Sequence, residues 1–120
     1  LPQNRYCIEN RAADMMMNVY LALAMTLSAA VDGIKNKIDP GKPTDQDLYQ
    51  MTEDQFKKLG IKRLPKNLLQ AIEALKNNKL SDEVLGSVMK KSFISYKNDE
   101  WERYHQAVTD WEVKEYLRLY

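Results

Sequence analysis

The sequence predicts a mainly α chain, with one short N-terminal strand followed by about five helices. Apolar side chains recur at helical spacing over most of the length. Proline and glycine punctuate the chain at Asp39-Pro40-Gly41-Lys42-Pro43, Gly60 and Leu64-Pro65. Only Arg5 to Arg11, a short mixed run closed by Ala12-Ala13-Asp14, reads as a strand.

Asp14 is placed to cap a helix from about Met15 to Lys37, with Met16, Val19, Tyr20, Leu23, Leu27, Val31 and Ile34 on one stripe. Ala22, Ala24, Ala29 and Ala30 keep the other face small. The Asp39–Pro43 punctuation stops this helix, and Thr44 to Gln50 is an irregular loop. Thr52-Glu53-Asp54-Gln55 has the form of a capping box, opening a short helix to Leu59 with Gly60 as its C-terminal cap. After Leu64-Pro65, Asn67 to Asn77 forms a helix with Leu68, Leu69, Ile72 and Leu75 on one side. Ser81 is expected to cap the next helix, with Asp82 and Glu83 at its positive end. That helix runs to about His105 and carries Leu85, Val88, Met89, Phe93, Tyr96, Trp101 and Tyr104 as an apolar stripe. Gly86 inside it is expected to cost about 1 kcal/mol relative to Ala. A second capping box, Thr109-Asp110-Trp111-Glu112, starts a last helix with Trp111, Val113, Tyr116, Leu117 and Tyr120 as its apolar side.

Composition narrows the function classes. The 120 residues amount to one domain, and Leu1-Pro2 at the start leads us to expect a piece of a longer chain. Lys plus Arg is 18 against 17 Asp plus Glu, so charge gives no reason to expect nucleic acid or an acidic membrane as partner. Cys7 is the one cysteine, which suits a reduced, intracellular setting, and His105 is the one histidine, so no His-rich metal site can form within this chain. Met15 to Val31 is uncharged over about seventeen residues. It is rich in Ala and Met and has no aromatic belt, so it reads as a core helix and not as a membrane span. The aromatic tail lacks the basic groove of a nucleic-acid stacking surface. Cys7 has no neighbouring histidine to make it a nucleophile.

Glu9 and Arg11 are the residues with chemical promise. On a strand, residues i and i+2 share a face about 6.6 Å apart. A carboxylate is a hard ligand suited to Mg²⁺ or Mn²⁺. An arginine beside it offers a planar fork for a carboxylate or a phosphoryl oxygen. Spacing alone equally fits a surface salt bridge, the commoner case.

Three stretches occur in a set order: Ile8-Glu9-Asn10-Arg11, then Asn18-Val19-Tyr20-Leu21, then Val31-Asp32-Gly33-Ile34-Lys35-Asn36-Lys37-Ile38-Asp39-Pro40-Gly41. Together they resemble the C-terminal part of glutamine synthetases. In that family an E-x-R strand leads into a buried helix opening N-P-Y-L, which ends at a D-G-I-x-N-K-x-x-P-G loop. Leu64-Pro65 with its following helix, Glu100 to Tyr104, and Thr109 to Glu112 fit as well, so the resemblance covers essentially the whole chain. There are departures. Cys7 stands where the family usually has an arginine, Val19 replaces the proline of N-P-Y-L, and Ala12 to Met17 replace the usual proline and aspartate.

The resemblance implies a helical C-terminal portion, residues 1–120, of a larger α+β catalytic domain. The N-terminal domain and most of the active site would lie outside the chain. It implies an ATP-dependent ligase that makes glutamine from glutamate and ammonia through a γ-glutamyl phosphate, with Mg²⁺ or Mn²⁺ as cofactor. Carried over, Glu9 is a metal ligand and Arg11 a catalytic, substrate-binding residue. Asp47-Leu48-Tyr49 aligns with a loop whose tyrosine is modified in some bacterial members, which makes Tyr49 a possible modification position. The helix from Trp111 to Tyr120 is a candidate subunit contact in a cytoplasmic homo-oligomer. The 120 residues alone are not expected to be active. The Ile-Glu-Asn-Arg stretch also resembles relatives that use another amine, and a non-catalytic helical oligomerisation module stays open.

Overall fold

The computed structural model describes residues 7–119, and internal contacts divide the chain into two units, Leu1–Asp39 and Pro40–Tyr120. Five α-helices account for its regular structure among the described residues: α1 (Val19–Lys35), α2 (Glu53–Lys58), α3 (Leu68–Lys76), α4 (Lys79–Gln106) and α5 (Asp110–Tyr116). A 3-10 turn, Leu48–Gln50, lies between α1 and α2.

In the first unit the expected strand is absent from the described residues: positions 7–10 are irregular and 11–12 turn. A strand is completed by a ladder partner, and no strand is present among the described residues to supply one. Arg5 and Tyr6 lie outside the described residues. Asp14 does not cap α1. Its carboxylate accepts the Met16 N–H at 2.7 Å and its carbonyl the Met17 N–H at 3.1 Å, closing a tight turn. The true cap is Asn18, whose side-chain oxygen accepts the N–H groups of Tyr20 and Leu21 at 3.0 and 3.2 Å. The helix stops before the prolines are reached. The Ile38 N–H bonds the Gly33 carbonyl and the Lys37 N–H the Ile34 carbonyl, the paired bonds of a Schellman end. That end requires a left-handed residue, and Lys37 supplies it at φ 50°. No residue of α1 is buried, and Tyr20, Leu27 and Ile34 are 81%, 66% and 78% exposed.

In the second unit the local signals translate closely. Thr52 and Gln55 form the capping box of α2, and Gly60 at φ 66° closes its end. There the Ile61 N–H bonds the Phe56 carbonyl and the Gly60 N–H the Lys57 carbonyl. Phe56 is buried beneath the Arg63 guanidinium, 4.0 Å above its ring, and Arg63 also reaches Glu53 at 3.3 Å. Asn67 caps α3, and Thr109 with Glu112 forms the box that opens α5.

The core of this unit is α3 against α4: Leu68, Ile72 and Leu75 face Phe93, Ile94 and the stem of Lys97. Ile72, at 3% exposure, is worth roughly 1.5–3 kcal/mol of apolar burial. Two expectations for α4 need correction. Its cap is Asn78, not Ser81. Ser81 is fully buried, and its hydroxyl is spent on the carbonyls of Leu75 and Asn78 at 3.0 and 2.6 Å. Gly86 is no helical weak spot. It sits at φ 69°, ψ 163°, a conformation close to glycine-only, and splits α4 into two pieces across a kink. The break resets the helical phase. Lys90, Phe93, Ile94, Lys97 and Trp101 turn inward, whereas Val88, Met89, Tyr96 and Tyr104 are exposed.

Candidate functional site

Glu9 and Arg11 are brought together, but by a turn and not by a strand. Asn10 accepts the Ala12 N–H on its side-chain oxygen at 3.1 Å, which folds the chain at Arg11. The guanidinium then grips the carboxylate with both prongs, Nε to Oε1 at 2.9 Å and Nη2 to Oε2 at 3.3 Å. Both side chains stand in solvent, at 84% and 68% exposure for Arg11 and Glu9, so the pair adds little stability. What it provides is a matched anion and cation on one short loop, each free to exchange its partner.

A divalent cation needs several converging oxygen ligands. Glu9 is one, and among the described residues no group of three or more His, Cys, Asp or Glu could hold a metal ion. The described residues therefore do not by themselves fit an Mg²⁺ or Mn²⁺ ion. Cys7 is exposed. His105 belongs to the other unit, stacks 3.8 Å from Trp101 and donates Nδ1–H to the Trp101 carbonyl at 2.9 Å.

Tyr49 sits in the 3-10 turn, fully exposed. Asp47 positions it by accepting the Tyr49 N–H and the Gln50 side-chain amide, each at 3.0 Å. On α5, Trp111 and Tyr116 meet edge to face at 5.9 Å. Val108, Val113, Tyr116 and Leu117 line a shallow apolar groove with Glu112. Trp111 is 62% exposed. Tyr120 lies outside the described residues. The Glu112 carboxyl is held below its ordinary pKa because it accepts the Thr109 N–H at 2.7 Å and the Thr109 hydroxyl at 2.8 Å. No helix among the described residues is long and apolar enough to cross a membrane.

Lys90 escaped the sequence reading. It is buried, and its register with Phe93, Lys97 and Trp101 was the available signal: a lysine can bury its stem on an apolar stripe.

Comparison with known proteins gives a consistent result. The family model "Glutamine synthetase, catalytic domain" matches residues 2–116. Glutamine synthetase of Methanococcus maripaludis is 41% identical over 112 residues, covering 93% of this chain and 25% of that protein. The Archaeoglobus fulgidus enzyme is 43% identical, with 93% and 23% covered. A glutamine synthetase of Staphylococcus epidermidis is 37% identical over 113 residues, with 94% and 25% covered. A solved structure described as GmaS in its apo form without ligand superposes at a TM-score of 0.67 and 32% identity, covering 83% of this chain and 23% of that one. The chain thus spans about a quarter of the length of the curated relatives it matches. With a match from residue 2 to residue 116 and a shared helical architecture, the chain belongs to the glutamine synthetase catalytic-domain family.

Proposed function

We propose that residues 1–120 are the C-terminal portion of the catalytic domain of an ATP-dependent glutamate–ammonia ligase, which makes glutamine through a γ-glutamyl phosphate. The observation that carries this reading is the family match over residues 2–116, and the resemblance of Ile8-Glu9-Asn10-Arg11 to the family's E-x-R strand supports the two residue roles. In this reading Arg11 releases Glu9 and turns its fork to the substrate carboxylate and the transferred phosphoryl oxygens. A planar, permanently charged group holds such oxygens in one orientation, and positioning with charge neutralisation is most of what phosphoryl transfer asks of a protein. Glu9 contributes a single carboxylate ligand for Mg²⁺ or Mn²⁺, with the remaining ligands, the ATP site and the N-terminal domain supplied by the rest of the protein. The exposed Tyr49 is assigned as a modification position. The apolar side of α5 is assigned as a subunit contact in a homo-oligomer, since aromatic anchors suit such interfaces. The exposed, unpaired thiol of Cys7 supports a cytoplasmic setting.

The test is phosphate release by the full-length protein with ATP, glutamate and ammonia, then with a panel of amines, in wild type, Glu9→Ala and Arg11→Ala. Removing Arg11 should cost on the order of 10²–10³-fold in turnover, the usual size for a lost charge-stabilising donor. Activity only with a larger amine would move the protein to the glutamate–amine ligases, relatives that the Ile-Glu-Asn-Arg stretch also resembles. A folded oligomer inactive with every acceptor would leave a helical oligomerisation module.

A further inference from the structure

Lys90 is the buried charged side chain among the described residues, and the proposed chemistry makes no use of it. Its ammonium has three protons, and each finds an acceptor from a different part of the chain. One is the Lys76 carbonyl at the end of α3, at 3.0 Å. The second is the Asn78 carbonyl in the link to α4, at 3.1 Å. The third is the Asp82 carboxylate on the first piece of α4, at 2.7 Å. Lys90 itself stands on the second piece, beyond the kink at Gly86. Along a straight helix, eight residues rise about 12 Å. That is the stretched limit for a lysine reaching a short carboxylate. Between Asp82 and Lys90 the chain leaves the helical path at Gly86, and the two ends meet.

We propose that Gly86 and Lys90 form a latched joint. Gly86 lets the chain turn between residues 79–85 and 87–106, and the Lys90 ammonium holds that turn by tying both pieces of α4 to the end of α3. The first piece is about two turns long, too short to persist as a helix unless something holds it. Its cap, Asn78, and its buried Ser81 both lie against the carbonyls that the latch gathers. With the ammonium removed, the Lys76 carbonyl loses this cationic donor at the negative end of α3. The 76–86 segment then opens as a local unit, while the second piece of α4 keeps its packing on α3.

Two measurements on the whole chain test this. In pulsed acylation read by mass spectrometry, Lys90 should label about ten-fold or more slowly than its exposed neighbour Lys91. Asp82→Asn, which removes one of the three acceptors' charge, should speed Lys90 labelling and leave Lys91 unchanged. In hydrogen exchange, Lys90→Met should quicken amides 79–86 by about ten-fold or more, with amides 93–104 within about three-fold of wild type. The proposal is overturned if Lys90 labels as fast as Lys91. It is also overturned if the Met variant leaves 79–86 unchanged, or quickens α3 and both pieces of α4 equally, which is the behaviour of an ordinary core lysine.

Discussion

Gly86→Ala is the substitution for which sequence and structure demand opposite signs. Read as a helix-interior position, Ala gains about 1 kcal/mol over Gly. At φ 69°, ψ 163° that gain does not apply, because residue 86 is not helical. An L side chain in this region costs roughly 1–3 kcal/mol. An ideal Cβ would meet nothing within 4 Å, so no collision adds to the backbone term. Against the strain stands the smaller conformational freedom of Ala in the unfolded chain, about 0.4–1 kcal/mol. The balance is a net loss of roughly 1–2 kcal/mol. Straightening the kink offers no escape, since it separates Lys90 from Asp82. For a unit of this size the loss lowers Tm by roughly 4–16 °C. Thermal and urea unfolding followed by circular dichroism would read it. A mirror control sharpens the test: D-Ala at position 86 accepts the positive φ and should stabilise by about 0.4–1 kcal/mol. A rise in Tm for the L-Ala variant would refute the reasoning, because it would mean that residue 86 is helical after all.

Two other predictions concern helix ends. The Glu112 carboxyl has a depressed pKa in the folded chain, so its contribution is present above the unfolded value of about 4.3 and is lost as pH falls through the folded value. The start of α5 should therefore fray in acid below about pH 4, seen as a loss of protection at the Glu112 amide, and Glu112→Gln should flatten that acid limb. An acid profile shared by both proteins would count against the capping box as the cause. Lys37→Gly should stabilise the end of α1 by roughly 0.5–1 kcal/mol, since glycine takes the left-handed conformation that Lys37 holds at φ 50°. The readout is slower exchange of the Ile38 N–H, which bonds the Gly33 carbonyl, and faster exchange in that variant would refute it.

Helix existence was legible in this chain because its signals are local. Thr52 with Gln55, Thr109 with Glu112, Asn67 and Gly60 each act within a few residues, and each performs as its sequence suggests. Choosing between two nearby caps was not legible. Asp14 and Asn18 are both good acceptors, and so are Asn78 and Ser81. The outcome for Ser81 was decided by a carbonyl six residues back, at Leu75. Gly86 shows a related blindness, because propensity treats it as a deficit where geometry makes it a requirement. The inward face of α4 was legible only in part: Phe93 and Trp101 of the expected stripe turn inward, whereas Val88, Met89, Tyr96 and Tyr104 are exposed. At the site, the adjacency of Glu9 and Arg11 was legible from their spacing. The strand was not, because a strand depends on residues distant in sequence.

Cys7, the chain's only thiol, is exposed and stands two residues before Glu9. A maleimide dye or nitroxide attached there would label one position within these 120 residues. Such a reporter would sit two residues from Glu9, at most about 7 Å along the backbone. In the full-length protein, quenching by Mn²⁺, or a change in its tumbling on adding nucleotide, would then be read from the neighbourhood of the fork itself.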